Sequence, residues 1–363
     1  MKSQSIRATV IVLFGLFFGG ICSFSAAGNA WAATPVTQQD VMYPNYRFKN
    51  GETIKSLRIH YSTMGIPHRN DSGEIDNAVL VLHWTGSSGA SLLSAEYFNS
   101  LYAAGKPLDA SRYYLIFPDN VGHGKSSKPS DGLRAKFPQY GYEDIVEIQH
   151  KLVKETLGVN RLHAILGVSM GGMNAWQWAE NYPNEVKGIM PVVSFPTAVS
   201  GRNLLWRMIV TRSIRNDPTW QDGNYTQQPA SLKEGYLVLR FMIDSVARLQ
   251  TQAPDLKSTD DWLNAVLKQG ADIDANDMLF SLESSRDYNP SELEQIRAKV
   301  YALNFSDDEF NPDVFKILQT QMKRVADGRY AVQDGTPKTP GHLAMMFPRL
   351  WADHVSRFMQ SIE

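Results

Sequence analysis

Short apolar runs alternate with longer stretches whose apolar residues recur at helical spacing, and this rhythm holds from residue 78 to residue 193. The runs are residues 78–82, 113–117, 162–166 and 188–193, and helix-length segments at 142–157 and 172–181 lie between them. A strand buried on both faces has no polar side to show, so it reads as an unbroken run. Alternation of such runs with helices predicts a parallel sheet of βαβ units covered on both sides. Upstream, residues 46–61 alternate around Asn50-Gly51, a dipeptide that accepts the positive φ angles of a tight turn, which predicts an antiparallel hairpin at the start of the fold. After about residue 199 the strand rhythm stops. Residues 204–214 and 232–249 are apolar at helical spacing, and Ser258 with Asp261 resembles a cap opening a helix over 262–267. Strand patterns return at 298–304 and 329–333, and residues 347–362 close the chain as a helix. The expected organisation is a catalytic core over 33–198 and 298–363 with a helical cap inserted at 199–297.

Composition narrows the chemistry. The 363 residues are 43% hydrophobic, enough for a large core, and 36 basic against 37 acidic side chains leave a net charge of -1. That charge offers no field to attract phosphate backbones or anionic lipid, so nucleic acid is not an expected partner. Lys2 and Arg7 precede an apolar run over residues 8–24, and Ala30-Trp31-Ala32 follows as a small-x-small cleavage site. This reads as a secretory signal over 1–32, cut after Ala32, which predicts a periplasmic or secreted protein with no stable membrane anchor after cleavage. Gly15, Gly19 and Gly20 interrupt the run against its serving as a span, and Ile21 before Cys22 is too bulky for a lipoprotein signal. Since Cys22 is the one cysteine, the mature chain would hold none, and covalent catalysis must use another side chain.

That side chain is Ser169, in Gly167-Val168-Ser169-Met170-Gly171 between an apolar run and the helix-like residues 173–179. A G-x-S-x-G in this setting is a nucleophile elbow: small neighbours permit a tight turn that lifts the hydroxyl, and the Met170 N–H faces the substrate from the helix start. The pattern predicts the α/β-hydrolase fold. A serine hydroxyl needs a neutral imidazole to take its proton and a carboxylate to orient that imidazole. In this fold the chain order is serine, acid, histidine. Only His342 and His354 follow Ser169; His342 lies in a Pro-Gly-His loop, whereas His354 belongs on the surface of the closing helix. The acid should follow the 300–304 strand, where Asp307 and Asp308 compete. The fold's habit of placing a proline four residues later favours Asp308, ahead of Pro312, and would leave Asp307 a solvated loop residue. The backbone N–H of Trp84, in the loop after the 78–82 run, is the expected second oxyanion donor beside that of Met170. His123, in a G-x-G-x-S turn, reads as structural. No metal or organic cofactor is expected.

The Ser-Met-Gly-Gly-Met core at 169–173, His83-Trp-Thr-Gly86, and Asn216-Asp-Pro-Thr-Trp220 with Gly223-Asn-Tyr225 resemble the homoserine O-acetyltransferase family of α/β hydrolases. The resemblance runs from about residue 80 to the C-terminus. It implies a cap arginine for a substrate carboxylate, matched by Arg240, and a possible homodimer. It also implies a tyrosine two turns later and an acidic residue just after the catalytic histidine, but Ala247 and Leu343 stand there. A site that loses polar partners loses discrimination on the order of 10⁴-fold, so homoserine is not the expected acceptor. Water then completes the reaction on a small-molecule acyl substrate. An acyltransferase with another acceptor is the alternative, and a catalytically silent binding protein a more distant one.

Overall fold

The computed structural model describes residues 35–363. The expected signal segment lies outside the described residues. Eight strands form one sheet in the order β1-β2-β4-β3-β5-β6-β7-β8. They are β1 (Val36–Arg47), β2 (Thr53–Met64), β3 (Ala78–Leu82), β4 (Tyr114–Pro118), β5 (Leu162–Val168), β6 (Val186–Val192), β7 (Lys299–Phe305) and β8 (Gly328–Gln333). β1 and β2 pair antiparallel across the expected turn, β2 joins β4 antiparallel, and every later pairing is parallel.

The unbroken apolar runs follow from burial on two faces. In β3, Val79 and Val81 enter one core cluster while Ala78, Leu80 and Leu82 enter the other. Side chains alternate across a strand, so a strand with two covered faces needs apolar residues at every position. Each fully buried leucine contributes about 2 kcal/mol by leaving water.

Among the described residues, the helices of seven residues or more are α1 (Tyr142–Lys151), α2 (Met170–Asn181), α3 (Gly201–Asn216), α4 (Ala230–Ile243), α5 (Val246–Gln252), α6 (Leu256–Gln269), α7 (Ala275–Glu283) and α8 (Ala352–Ile362). The segment between β6 and β7 contains α3 to α7, around a cluster of their own that includes Trp206, Val210, Ile214, Leu232 and Leu279.

Three elements differ from the sequence pattern, two of them because a local cap overrides periodicity. The helix expected over 232–249 is two: Asp244 is extended and the Ser245 hydroxyl accepts from the Arg248 N–H to start α5. α6 starts earlier than expected, because Asp255 rather than Ser258 caps it and accepts from the Ser258 N–H. The closing helix begins at Ala352, after a separate turn of 3-10 helix at Pro348–Leu350. A side chain that satisfies a free N–H defines a helix start more sharply than the apolar pattern does.

Candidate active site

Ser169 stands between β5 and α2 with φ 53° and ψ -114°. A non-glycine residue in that region is strained, and the strain persists only where the surroundings enforce it. Crowding here does so. A Cβ on Gly167 would fall 2.1 Å from the Gly171 carbonyl oxygen, and one on Gly171 would fall 2.3 Å from the Leu82 carbonyl oxygen. The elbow therefore presses directly on the end of β3, and the two glycines of the motif are steric requirements.

The Ser169 Oγ is 2.8 Å from His342 Nε2, and His342 Nδ1 is 2.8 Å from Asp308 Oδ2. The second contact defines an Nδ1–H tautomer that donates to the carboxylate, leaving Nε2 to accept from the serine. Asp308 and His342 are 1% and 2% exposed, so little water screens their interaction. The carboxylate is held in place: its Oδ1 accepts from the N–H groups of Phe310 (2.8 Å) and Asn311 (3.2 Å), and its Oδ2 also accepts from Asn311 Nδ2 at 3.0 Å. The Phe310 ring lies 4.7 Å from the imidazole, and Trp206 of α3 stacks on Phe310 at 5.2 Å with planes 11° apart. This ladder of rings covers the histidine from the helical segment.

The backbone N–H of Met170, first residue of α2, has no intrahelical acceptor. Among the described residues the Trp84 N–H likewise meets no acceptor in the turns and loops. Trp84 follows β3, the strand that the elbow contacts. Its loop is held by His83, whose Nδ1 is 2.9 Å from the Trp84 carbonyl oxygen and whose Nε2 accepts from the Asn120 N–H at 3.1 Å. Burial pushes the His83 pKa down to about 4. His123 is equally enclosed and pushed down to about 3, with Nδ1 3.1 Å from the Val121 carbonyl and Nε2 2.9 Å from the Ser281 hydroxyl. Its partners are those of a packing residue.

Asp307 does not face His342 and is not simply solvated. Its Oδ2 accepts from Thr339 Oγ1 at 2.6 Å and from the Gly341 N–H at 3.3 Å, so it braces the loop that carries the histidine. The loop is clasped from the other side, where Ser245 Oγ donates to the Thr339 carbonyl at 2.7 Å. His354 departs from expectation too: it is half-buried, and its Nδ1 lies 2.7 Å from the Tyr301 hydroxyl. Arg240 lies near the end of α4, half-buried, with its Nε enclosed and unpartnered. Leu343, at the position where the resemblance implies an acid, is 5% exposed and packs as an apolar residue.

Asn311 was not visible as a functional residue. Its only signal was its place one residue beyond the Asx-type turn that an aspartate makes with the backbone N–H two residues on, here Asp308 with Phe310. A cavity of 540 Å³ lies beside this acid loop, walled by Met173, Phe195, Leu205, Phe310, Asn311 and Phe315; Ser169 and His342 are not among its walls. Among the described residues no three His, Asp or Glu side chains gather in a way that could hold a metal ion.

A strained serine at a strand-to-helix elbow, a buried histidine and an aspartate after a later strand define the class, and the chain belongs to the alpha/beta hydrolase fold family, whose model matches residues 78–306. It is similar to a probable acyltransferase of Methanothermobacter thermautotrophicus, 27% identical over 270 residues, which cover 74% of this chain and 81% of that protein. It is 31% identical over 216 residues to a homoserine O-acetyltransferase of Geotalea daltonii, covering 54% of this chain and 57% of the other. The chain thus spans about half the length of such curated relatives. Among solved structures it resembles homoserine O-acetyltransferase from Bacillus anthracis (TM-score 0.78, 23% identity, 89% of this chain and 97% of that one). The acetyl esterase MekB is similarly close (TM-score 0.77, 22% identity, 89% and 97%). These structural likenesses establish the shared fold.

Proposed function

We propose that the protein is an exported serine hydrolase that cleaves a carboxylic ester or related acyl bond through an acyl-enzyme. The observation that carries this reading is the continuous Ser169–His342–Asp308 chain, with both contacts at 2.8 Å, on a strained elbow. His342 Nε2 takes the Ser169 proton as Oγ attacks the acyl carbonyl. The N–H groups of Trp84 and Met170 receive the developing oxyanion, each donor supplying about 3 kcal/mol of transition-state stabilisation. His342 then gives its proton to the departing alcohol, and Asp308 stabilises the imidazolium between the two transfers. Water, deprotonated by His342, releases the acid and restores the serine. Arg240 offers a cation for an anionic part of the substrate.

Export is supported by the signal-like pattern over 1–32. N-terminal sequencing of the protein isolated from cells tests it: a mature chain beginning at Ala33 is expected. The hydrolase is tested with short-chain p-nitrophenyl esters and a serine-reactive fluorophosphonate. Turnover and labelling should disappear in Ser169→Ala, and full activity in that variant refutes the reading.

The similarity to acyltransferases favours a second reading, transfer of the acyl group to an acceptor other than homoserine. Product analysis separates the two, since transfer yields an acylated acceptor and hydrolysis yields free acid. Ala247 and Leu343, where the resemblance implies a tyrosine and an acid, favour water.

A further inference from the structure

His83 is fully buried just past β3, and both of its ring nitrogens are spent on main chain rather than on the triad. A carbonyl only accepts, so Nδ1 carries the hydrogen and donates to the Trp84 carbonyl at 2.9 Å. An N–H only donates, so Nε2 is bare and accepts from Asn120 at 3.1 Å. The two contacts fix one neutral tautomer, and burial, which pushes the pKa down to about 4, keeps the ring uncharged.

The first of these bonds encloses a particular peptide. The covalent path from His83 Nδ1 to the Trp84 carbonyl oxygen runs through the 83–84 peptide unit, whose N–H is the proposed oxyanion donor. Closing that path with a hydrogen bond makes a small ring in which the unit cannot turn freely. The same carbonyl accepts from the Ser87 N–H at 3.2 Å, in a turn where Gly86 has φ 72°, the positive angle that a type II turn requires at its third position. The second bond carries the anchor into the core. Asn120 Oδ1 accepts from Gln149 Nε2 at 2.8 Å, and Gln149 Oε1 accepts from Trp178 Nε1 at 3.1 Å, all three residues being buried. Trp178 lies in α2, the helix that Met170 opens. A buried chain of hydrogen bonds therefore joins the loop of one proposed oxyanion donor to the helix of the other, and His83 is its link beside Trp84.

We infer that His83 is a positioning residue for the oxyanion hole: its Nδ1–H bond to the Trp84 carbonyl aims the Trp84 N–H at the acyl oxygen. This rests on the acyl-enzyme reading above and adds to it a residue that acts through Trp84 without touching substrate. The role belongs to one nitrogen, since Nδ1 sets the direction of the donor while Nε2 holds the ring to the core. An oxyanion hole works because its donors are aimed before charge develops. A misaimed donor costs little with the neutral carbonyl of the bound ester and much with the oxyanion, so the loss falls on kcat rather than KM.

Two substitutions in the full chain separate the nitrogens. The short amide of His83→Asn reaches the place of Nδ1 and can donate to the Trp84 carbonyl, but it leaves the Asn120 N–H unpaired. The longer amide of His83→Gln reaches the place of Nε2 and can accept from Asn120, but it leaves the Trp84 carbonyl to Ser87 alone. His83→Gln should lower kcat on p-nitrophenyl esters about 10-fold to 100-fold with KM nearly unchanged, whereas His83→Asn should retain most of kcat. Hexyl trifluoromethyl ketone, which Ser169 converts to a tetrahedral oxyanion, should bind His83→Gln more weakly by the same factor in calorimetric titration. Stability should run in the opposite order, because a buried N–H without an acceptor is the costlier loss, so His83→Asn should melt below His83→Gln. A histidine that only packs would make activity follow melting temperature. Equal kcat losses in the two variants overturn the inference and leave the hydrolase standing. Full kcat and ketone affinity in His83→Gln overturn it too, and that result decides alone where His83→Asn does not fold. Ketone binding that keeps the Asn-over-Gln order, with no ester hydrolysed by the unmutated protein, retains the role of His83 and removes the hydrolase. No ketone binding by the unmutated protein removes both.

Discussion

The Asn311 side-chain amide ties the Asp308 carboxylate to the end of a neighbouring strand: Nδ2 donates to Asp308 Oδ2 at 3.0 Å and to the Val193 carbonyl at 2.9 Å. Val193, just past β6, has φ 47°, a conformation that a β-branched residue adopts only under constraint. Its N–H is held by the Leu303 carbonyl at 2.8 Å, so the strained carbonyl is a fixed anchor for Asn311. Removing the amide in Asn311→Ala should let the carboxylate swing. A charge-assisted hydrogen bond of this kind corresponds to about 10-fold to 100-fold in rate. Steady-state kinetics should show the loss in kcat, with KM nearly unchanged.

The two adjacent aspartates should separate cleanly. Asp308→Asn turns an acceptor toward a donor and favours the wrong histidine tautomer, with an expected loss on the order of 10⁴-fold in kcat. Asp307→Asn retains most turnover but weakens the clasp on Thr339 and Gly341, costing about 1–2 kcal/mol in urea unfolding. Equal kinetic losses in the two variants would contradict the geometry.

Gly171→Ala places a methyl group 2.3 Å from the Leu82 backbone oxygen, and backbone cannot move aside as a flexible side chain can. A loss of about 3 kcal/mol or more is expected, seen as a much lower melting temperature or insoluble expression.

Acid should destabilise the protein through two buried histidines. His83 and His123 have pKa values pushed down by burial to about 4 and about 3, against an ordinary value of 6.5. In the unfolded chain both take up protons once the pH falls below about 6.5. The native state resists until about 4, so the unfolded state binds more protons in that window and stability falls with falling pH. The stabilising contribution is fully present above the unfolded value. Each histidine contributes a slope of up to about 1.4 kcal/mol per pH unit. Urea titrations between pH 7 and 4.5 check this, and His123→Asn should flatten the slope.

Much of the core was legible because its signals are local. An unbroken apolar run needs only two covered faces, and Gly167-x-Ser169-x-Gly171 needs only the sterics of one turn, so strands and elbow could be found within windows of a few residues. His342 was accessible through chain order. Helix boundaries in the segment after β6 were harder, since Asp255 and Ser245 act as caps against the apolar period around them.

The sequence by itself determined the sheet's strands, the elbow, and a short set of residues able to complete it. Only the tertiary structure distinguished Asp308 from Asp307, gave Asn311 its anchor and turned His354 toward Tyr301. The physical reason is separation along the chain. Ser169 and His342 are 173 residues apart, and His342 and Asp308 are 34 apart. Local propensity sets which residues can meet such partners, but the closure of loops and the packing of the core set which ones do.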